Sequence, residues 1–248
     1  TASGYKISTA GFSVGTKFEQ YENLFFSPEI DFTIEDLTTN SNASNNLKKQ
    51  EGNYTDFYFN YGLDVDTRNS TYNPSKGNRF SFYQKLPVSS DQKEISNSFT
   101  FTKYKSLNDS KSMIGKASFY VKAVNSIDGS DVRISKRAKM PYYRLRGFEK
   151  GKIGPKDSTD YIGGNYVSAL NFSTNLPGIL PSFENLDFSY FIDIGNVWGV
   201  DYDDTIDESN TIRSSTGLAL EFLSPVGPLS FSLTQPITKK SSDKTETF

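Results

Sequence analysis

Cysteine and histidine are both absent from the 248 residues. Without cysteine there is no disulfide, no thiolate metal site and no cysteine nucleophile. Without histidine the commonest general base and the commonest transition-metal ligand are gone too. These absences set aside most enzyme classes, and the chain reads as a non-enzyme with no cofactor and no metal site. An excess of one charge is also missing, since 27 Lys and Arg against 29 Asp and Glu leave a net −2. No broad field therefore points to nucleic acid as a partner. No apolar run approaches the roughly 18 residues that a membrane helix needs. Thr1 to Ile7 do not make a signal peptide. Both ends read as if cut from a longer alternating pattern, so a fragment is expected.

What is present is aromatic. Phe (20) and Tyr (15) supply nearly all of a 15% aromatic content, although mean hydropathy is low. Disordered chains are poor in aromatics, and soluble domains gather Leu, Ile and Val in blocks. A membrane β-barrel combines both features, because only alternate residues meet lipid and aromatic girdles mark the two interfaces.

The apolar residues alternate with polar ones along most of the chain. Phe26, Pro28, Ile30, Phe32 and Ile34 alternate with Ser27, Glu29, Asp31 and Thr33. Phe57, Phe59, Tyr61, Leu63 and Val65 alternate with Tyr58, Asn60, Gly62 and Asp64. Leu186, Phe188, Tyr190, Ile192 and Ile194 oppose Asp187, Ser189, Phe191 and Asp193. This period predicts about ten strands, each about ten residues long, which suits tilted membrane strands. Short turns alternate with longer polar connections such as Thr38 to Gln50. A soluble β-sandwich would show the same alternation, but strand length, the Phe/Tyr bias and the asymmetry of the connections favour the membrane.

One stretch breaks the pattern. Ser126 to Gly164 has no alternation, carries a basic run (Arg133, Lys136, Arg137, Lys139), and holds Tyr143-Arg144-Leu145-Arg146-Gly147-Phe148. A connection longer than about 15 residues is usually functional or disordered, and disordered segments rarely end in such a cluster. It is expected to fold back into the structure. Asp193 shares the polar face of its strand, so an intruding Arg146 could pair with it through two parallel hydrogen bonds. Gly147 lets the tip turn sharply, and Phe148 could pack on the inner wall.

Several motifs recur in a fixed order: Asp66-x-Arg68 with Pro74-x-x-Gly77, Arg146-Gly147-Phe148, Ile153-Gly154-Pro155, Gly163-Gly164-Asn165, Asp193-x-Gly195-Asn196-Val197-Trp198 and Ser224-Pro225-Val226-Gly227-Pro228. Together they resemble the C-terminal barrel of the bacterial surface antigen superfamily, over essentially the whole chain. The resemblance implies an all-β, antiparallel transmembrane barrel of about sixteen strands, of which residues 1–248 would supply about ten as part of one domain. Residues 126–164 would be loop 6, which enters the lumen. The N-terminal periplasmic domains, the first strands and the last strand would lie outside the chain. The implied function is insertion and folding of β-barrel proteins in the bacterial outer membrane. The implied partners are membrane lipid, unfolded outer-membrane proteins and accessory assembly lipoproteins. The alternative is a protein-secretion pore of the same superfamily, of the two-partner type.

By resemblance, the family places a glutamate near the loop arginine where this chain has Asn171. Asp66 and Arg68, with Pro74 and Gly77, read as residues that pin a turn. Asp201, Asp203, Asp204, Asp207 and Glu208 lack calcium-loop spacing and read as a solvated loop. Trp198, the only tryptophan, reads as an interface anchor.

Overall fold

The computed structural model describes residues 4–71, 73–110, 112–177, 186–202, 206, 211–224 and 227–247. Asp203, Asp204, Asp207 and Glu208 of the acidic loop, and Pro225 and Val226 of the last turn motif, lie outside the described residues.

The chain runs as an antiparallel meander. Its strands are β1 (Tyr5–Gly15), β2 (Phe18–Tyr21), β3 (Leu24–Thr39), β4 (Gly52–Asp66), β5 (Gly77–Ser90), β6 (Glu94–Ser106) and β7 (Ile114–Ser126). After the long loop come β10 (Tyr166–Asn175), β11 (Leu186–Trp198), β12 (Arg213–Ser224) and β13 (Gly227–Thr238). Each pairs with the next in the order β1-β3-β4-β5-β6-β7-β10-β11-β12-β13, and β2 pairs with the start of β3 beside β1. The result is the expected partial barrel, whose two edges are β1 and β13. Among the described residues no ladder joins those edges.

The register sorts the side chains by face. Asn171 sits opposite Asp193 and Ser118, and Thr33 opposite Asp56, all on the inner face. Phe101 sits opposite Phe119, and Phe119 opposite Leu170, on the outer face. The outer face stays bare from one edge to the other: Phe12, Ile30, Phe59, Phe101, Phe172 and Phe231 are all well exposed. Meanwhile Glu35, Asp56, Asn60, Arg133, Asp193 and Arg213 are buried inside. Soluble monomers rarely expose an apolar patch beyond about 300–600 Å², and they almost never bury so many charges while leaving phenylalanines outside. A soluble sandwich does not have this inversion. A membrane barrel does.

Two features were not legible in the alternation. Within the connection from Thr38 to Gln50, Asn45–Lys48 form a single helical turn, α1, capped by Ser44. Within the long loop there are a 3-10 turn at Tyr142–Arg144 and a small hairpin of β8 (Lys156–Asp157) and β9 (Asp160–Tyr161). Both are too short to generate a period of their own.

At the opposite end of the sheet, the β4–β5 turn carries the motif residues. Arg68 donates from Nε and Nη2 to the Asp66 carboxylate at 2.8 and 2.6 Å. Gly77 has φ +101°, and a Cβ there would lie 2.4 Å from the Thr67 carbonyl oxygen. Pro74 lies in the same turn, where Asn69 Oδ1 accepts from the Ser75 and Lys76 amides. The motif closes a hairpin end.

Candidate functional site

The long loop crosses the inner face and is stapled to it by its own guanidinium groups, which reach β3, β4, β7 and β11. Arg133 is fully buried, 2.5 Å from Asp56 of β4 and 3.5 Å from Glu35 of β3, with its guanidinium 4.0 Å above the Tyr54 ring. Lys136 adds a second cation 2.9 Å from Asp56. Arg137 reaches Asn165 at 2.7 Å and pairs with Asp201 beyond β11. Arg144 donates to Ser118 of β7 at 3.1 Å and lies over the Tyr120 ring.

The tip sits on β11. Arg146 donates from Nε and Nη2 to Asp193 at 2.7 and 2.9 Å, and its own amide reaches the same carboxylate at 3.2 Å. The guanidinium lies 3.4 Å from the centroid of the buried Phe191 ring. A partly exposed contact of that kind contributes about 1 kcal/mol. Asp193 is fully buried while Arg146 keeps 23% of its side-chain surface, so the pair is only partly withdrawn from water. Asn171 completes the cluster, because its Nδ2 donates to Asp193 Oδ1 at 2.8 Å and to the Arg144 carbonyl at 2.7 Å. The arginine thus has one carboxylate, and the neighbouring amide orients it.

Gly147 has φ +86°, and a Cβ on it would stand 3.1 Å from Thr234 Oγ1. Phe148 is buried with Val124, Val132, Leu145, Val167, Ala169 and Val197. This cluster gives the tip an apolar floor on strands whose other inner residues are mostly polar. Below the tip, a cavity of about 700 Å³ remains, lined by Arg68, Arg79, Ser118, Tyr143, Arg144 and Ser232 among others.

The structure therefore brings Arg146, Asp193 and Asn171 together with Gly147 and Phe148. Asp66, Arg68, Pro74 and Gly77 lie apart in their turn, with Arg68 facing the cavity. Trp198 ends β11 and packs on Tyr166, ring centroids 5.8 Å apart. Sequence reasoning missed the Arg133 cluster. Its signal was present: Glu35 and Asp56 occupy inner-face positions of neighbouring strands and face a loop with a basic run.

"Outer membrane protein assembly factor BamA" of Neorickettsia risticii is 23% identical, over 98% of this chain and 33% of its own length. The protein of the same name from Neisseria meningitidis serogroup B is 32% identical over 42% of this chain and 16% of its own length. The crystal structure of BamA from Haemophilus ducreyi lacking POTRA domains 1–3 matches with a TM-score of 0.87 at 26% identity, covering 98% of this chain and 53% of that one. The chain spans about a third of the length of the first of these relatives. All 248 residues match the Omp85 superfamily domain, and the chain belongs to that superfamily.

Proposed function

We propose that residues 1–248 are part of one outer-membrane β-barrel that inserts and folds β-barrel proteins into the bacterial outer membrane. Periplasmic domains, the first strands and the last strand would be supplied outside this stretch. The observation that carries the reading is the bidentate seat of Arg146 on Asp193, inside a sheet whose outer face exposes large apolar side chains from one edge to the other. In this reading the loop anchors the wall from within and keeps the barrel in register while an edge does the work. Backbone N–H and C=O groups on a strand edge pair readily with an incoming strand. In lipid each unpaired group costs several kcal/mol, so a free edge favours capture of a client strand. No covalent step is involved. The partners are membrane lipid, unfolded outer-membrane proteins as clients, and accessory lipoproteins that deliver them.

The test is charge reversal in the complete protein: Arg146→Glu, Asp193→Arg, and the two together. We expect each single change to abolish the heat-resistant gel mobility of the barrel and lower the level of other outer-membrane barrels. The double change should restore both. Normal levels of other barrels together with loss of one secreted protein would replace this reading with the secretion pore.

A further inference from the structure

Beyond β13 the chain turns back into the lumen and meets the loop tip. Lys240 and Asp243 form the turn, with the Lys240 amide donating to Asp243 Oδ2 at 2.7 Å. Asp243 is also the carboxylate of a further bidentate pair. Arg213, the first residue of β12, donates from Nε and Nη2 to its two oxygens, both at 2.9 Å. Both side chains are fully buried, which is a deeper setting than that of the Arg146 pair. Arg213 is itself held by Asn196 Oδ1 at 2.6 Å and the Thr211 carbonyl at 2.9 Å.

From this pivot the returning segment runs antiparallel to the tip. The Glu149 amide donates to the Lys244 carbonyl at 3.0 Å, and the Glu246 amide to the Gly147 carbonyl at 3.1 Å, around a bridge between Phe148 and Thr245. The Lys244 amide donates in turn to Lys152. Tyr161 donates its hydroxyl to the Ser242 carbonyl. Burial first, and then Asp243 and Glu149, push the Tyr161 phenol up.

The other edge of the same segment touches β13 at one backbone bond, from the Thr234 amide to the Thr247 carbonyl at 3.0 Å. The next amide facing that edge would belong to residue 236, because alternate residues share an edge. Residue 236 is proline and has no N–H. The edge of β13 is therefore interrupted where the segment returns, and most of the segment's backbone pairing is with the loop tip on its opposite edge.

We propose that the segment Lys244–Thr247 is a latch held between the loop tip and β13, with Arg213–Asp243 as its pivot. It rests on the assembly reading and deepens it. The latch couples the position of the loop to the segment that leaves β13, so the two move together during insertion. Arg213, Asp243 and Pro236 are its positioning residues.

The test uses engineered cysteines in the complete protein, and this stretch contributes none of its own. Glu149 and Lys244 face each other, and directly opposed antiparallel residues lie about 5.5 Å apart, within disulfide range. Glu149→Cys with Lys244→Cys should cross-link rapidly under mild oxidant, whereas Glu149→Cys with Lys239→Cys, outside the paired stretch, should not. Asp243→Asn should slow the reaction at least tenfold in the heat-modifiable, folded fraction, and Arg213→Asp with Asp243→Arg should recover it. Equal rates for the two cysteine pairs, or no effect of Asp243→Asn, would overturn the latch.

A second measurement compares insertion of a purified client barrel into liposomes before and after reduction of the cross-link. We expect the oxidised protein to be inactive and the reduced protein active. Full activity while cross-linked would overturn the coupling and leave the assembly reading standing. Rapid cross-linking in a protein inactive even when reduced would sink the assembly reading and leave the latch geometry standing.

Discussion

Asn171 sets the chemistry of the lumenal cluster, because it is an amide where a second carboxylate would repel Asp193. Its Nδ2 makes two donations that no carboxylate can make. Asn171→Asp should therefore destabilise the barrel more than Asn171→Ala. The new carboxylate would face the Asp193 carboxylate and the Arg144 carbonyl, both acceptors, with no proton to give either. Thermal melting of both variants at pH 7 compares them directly, and equal midpoints would refute the prediction. Gly147 carries a different constraint. Its positive φ and the close Thr234 side chain make Gly147→Ala cost roughly 1–2 kcal/mol, visible as a lower midpoint of heat-modifiable migration. Glycine at the tip was legible from sequence as a sharp turn. The Thr234 contact was not, since nothing local relates the loop to β13.

Among the elements, the connections at the loop end are built from local staples. Ser44 Oγ accepts from the Leu47 amide at 3.2 Å and also donates to Asp157 of β8, so one cap ties α1 to the loop hairpin. Ser44→Ala should cost about 1 kcal/mol and speed proteolytic nicking between residues 40 and 51. Unchanged nicking would mean that α1 is held by Leu47 packing alone. Asp128 forms a second staple. The Ser130 hydroxyl, followed by the Lys93 and Ser130 amides and the Ser126 hydroxyl, holds its carboxyl below the usual carboxylate range. A depressed carboxyl contributes stability above its unfolded pKa of about 4 and loses it as pH falls further. The protection of the Lys93 amide against hydrogen exchange, taken relative to its intrinsic rate at each pH, should fall below that pH and stay constant above it. Strands were readable because the pleat imposes their period. These staples were not, because a single helical turn and a two-residue hairpin repeat nothing.

For the whole molecule, the decisive property is which face meets lipid. Phe119 lies mid-strand on the outer face between Phe101 and Leu170, whereas Ser232 faces the lumenal cavity. Phe119→Arg should cost about 2–4 kcal/mol in a bilayer, while Ser232→Lys should be nearly neutral. Denaturant unfolding in liposomes compares the two. Equal costs would contradict the membrane orientation of the sheet.

Alternation, strand number and the intrusion of residues 126–164 were determined by the sequence itself. The pleat assigns each side chain to a face by parity alone, and a basic loop among acidic inner positions has a favourable place to go. The Arg146–Asp193 pairing was also open to sequence reasoning, since the parity of β11 places Asp193 inside. The tertiary structure alone decided the remaining partners. Arg133 meets Asp56 across 77 residues of chain, and Arg213 meets Asp243 across the two strands β12 and β13. Several inner carboxylates share the correct parity, so local pattern cannot choose among them. The choice comes from where the loop crosses the barrel, how the apolar floor under Phe148 is placed, and where Pro236 leaves the edge of β13 without a donor.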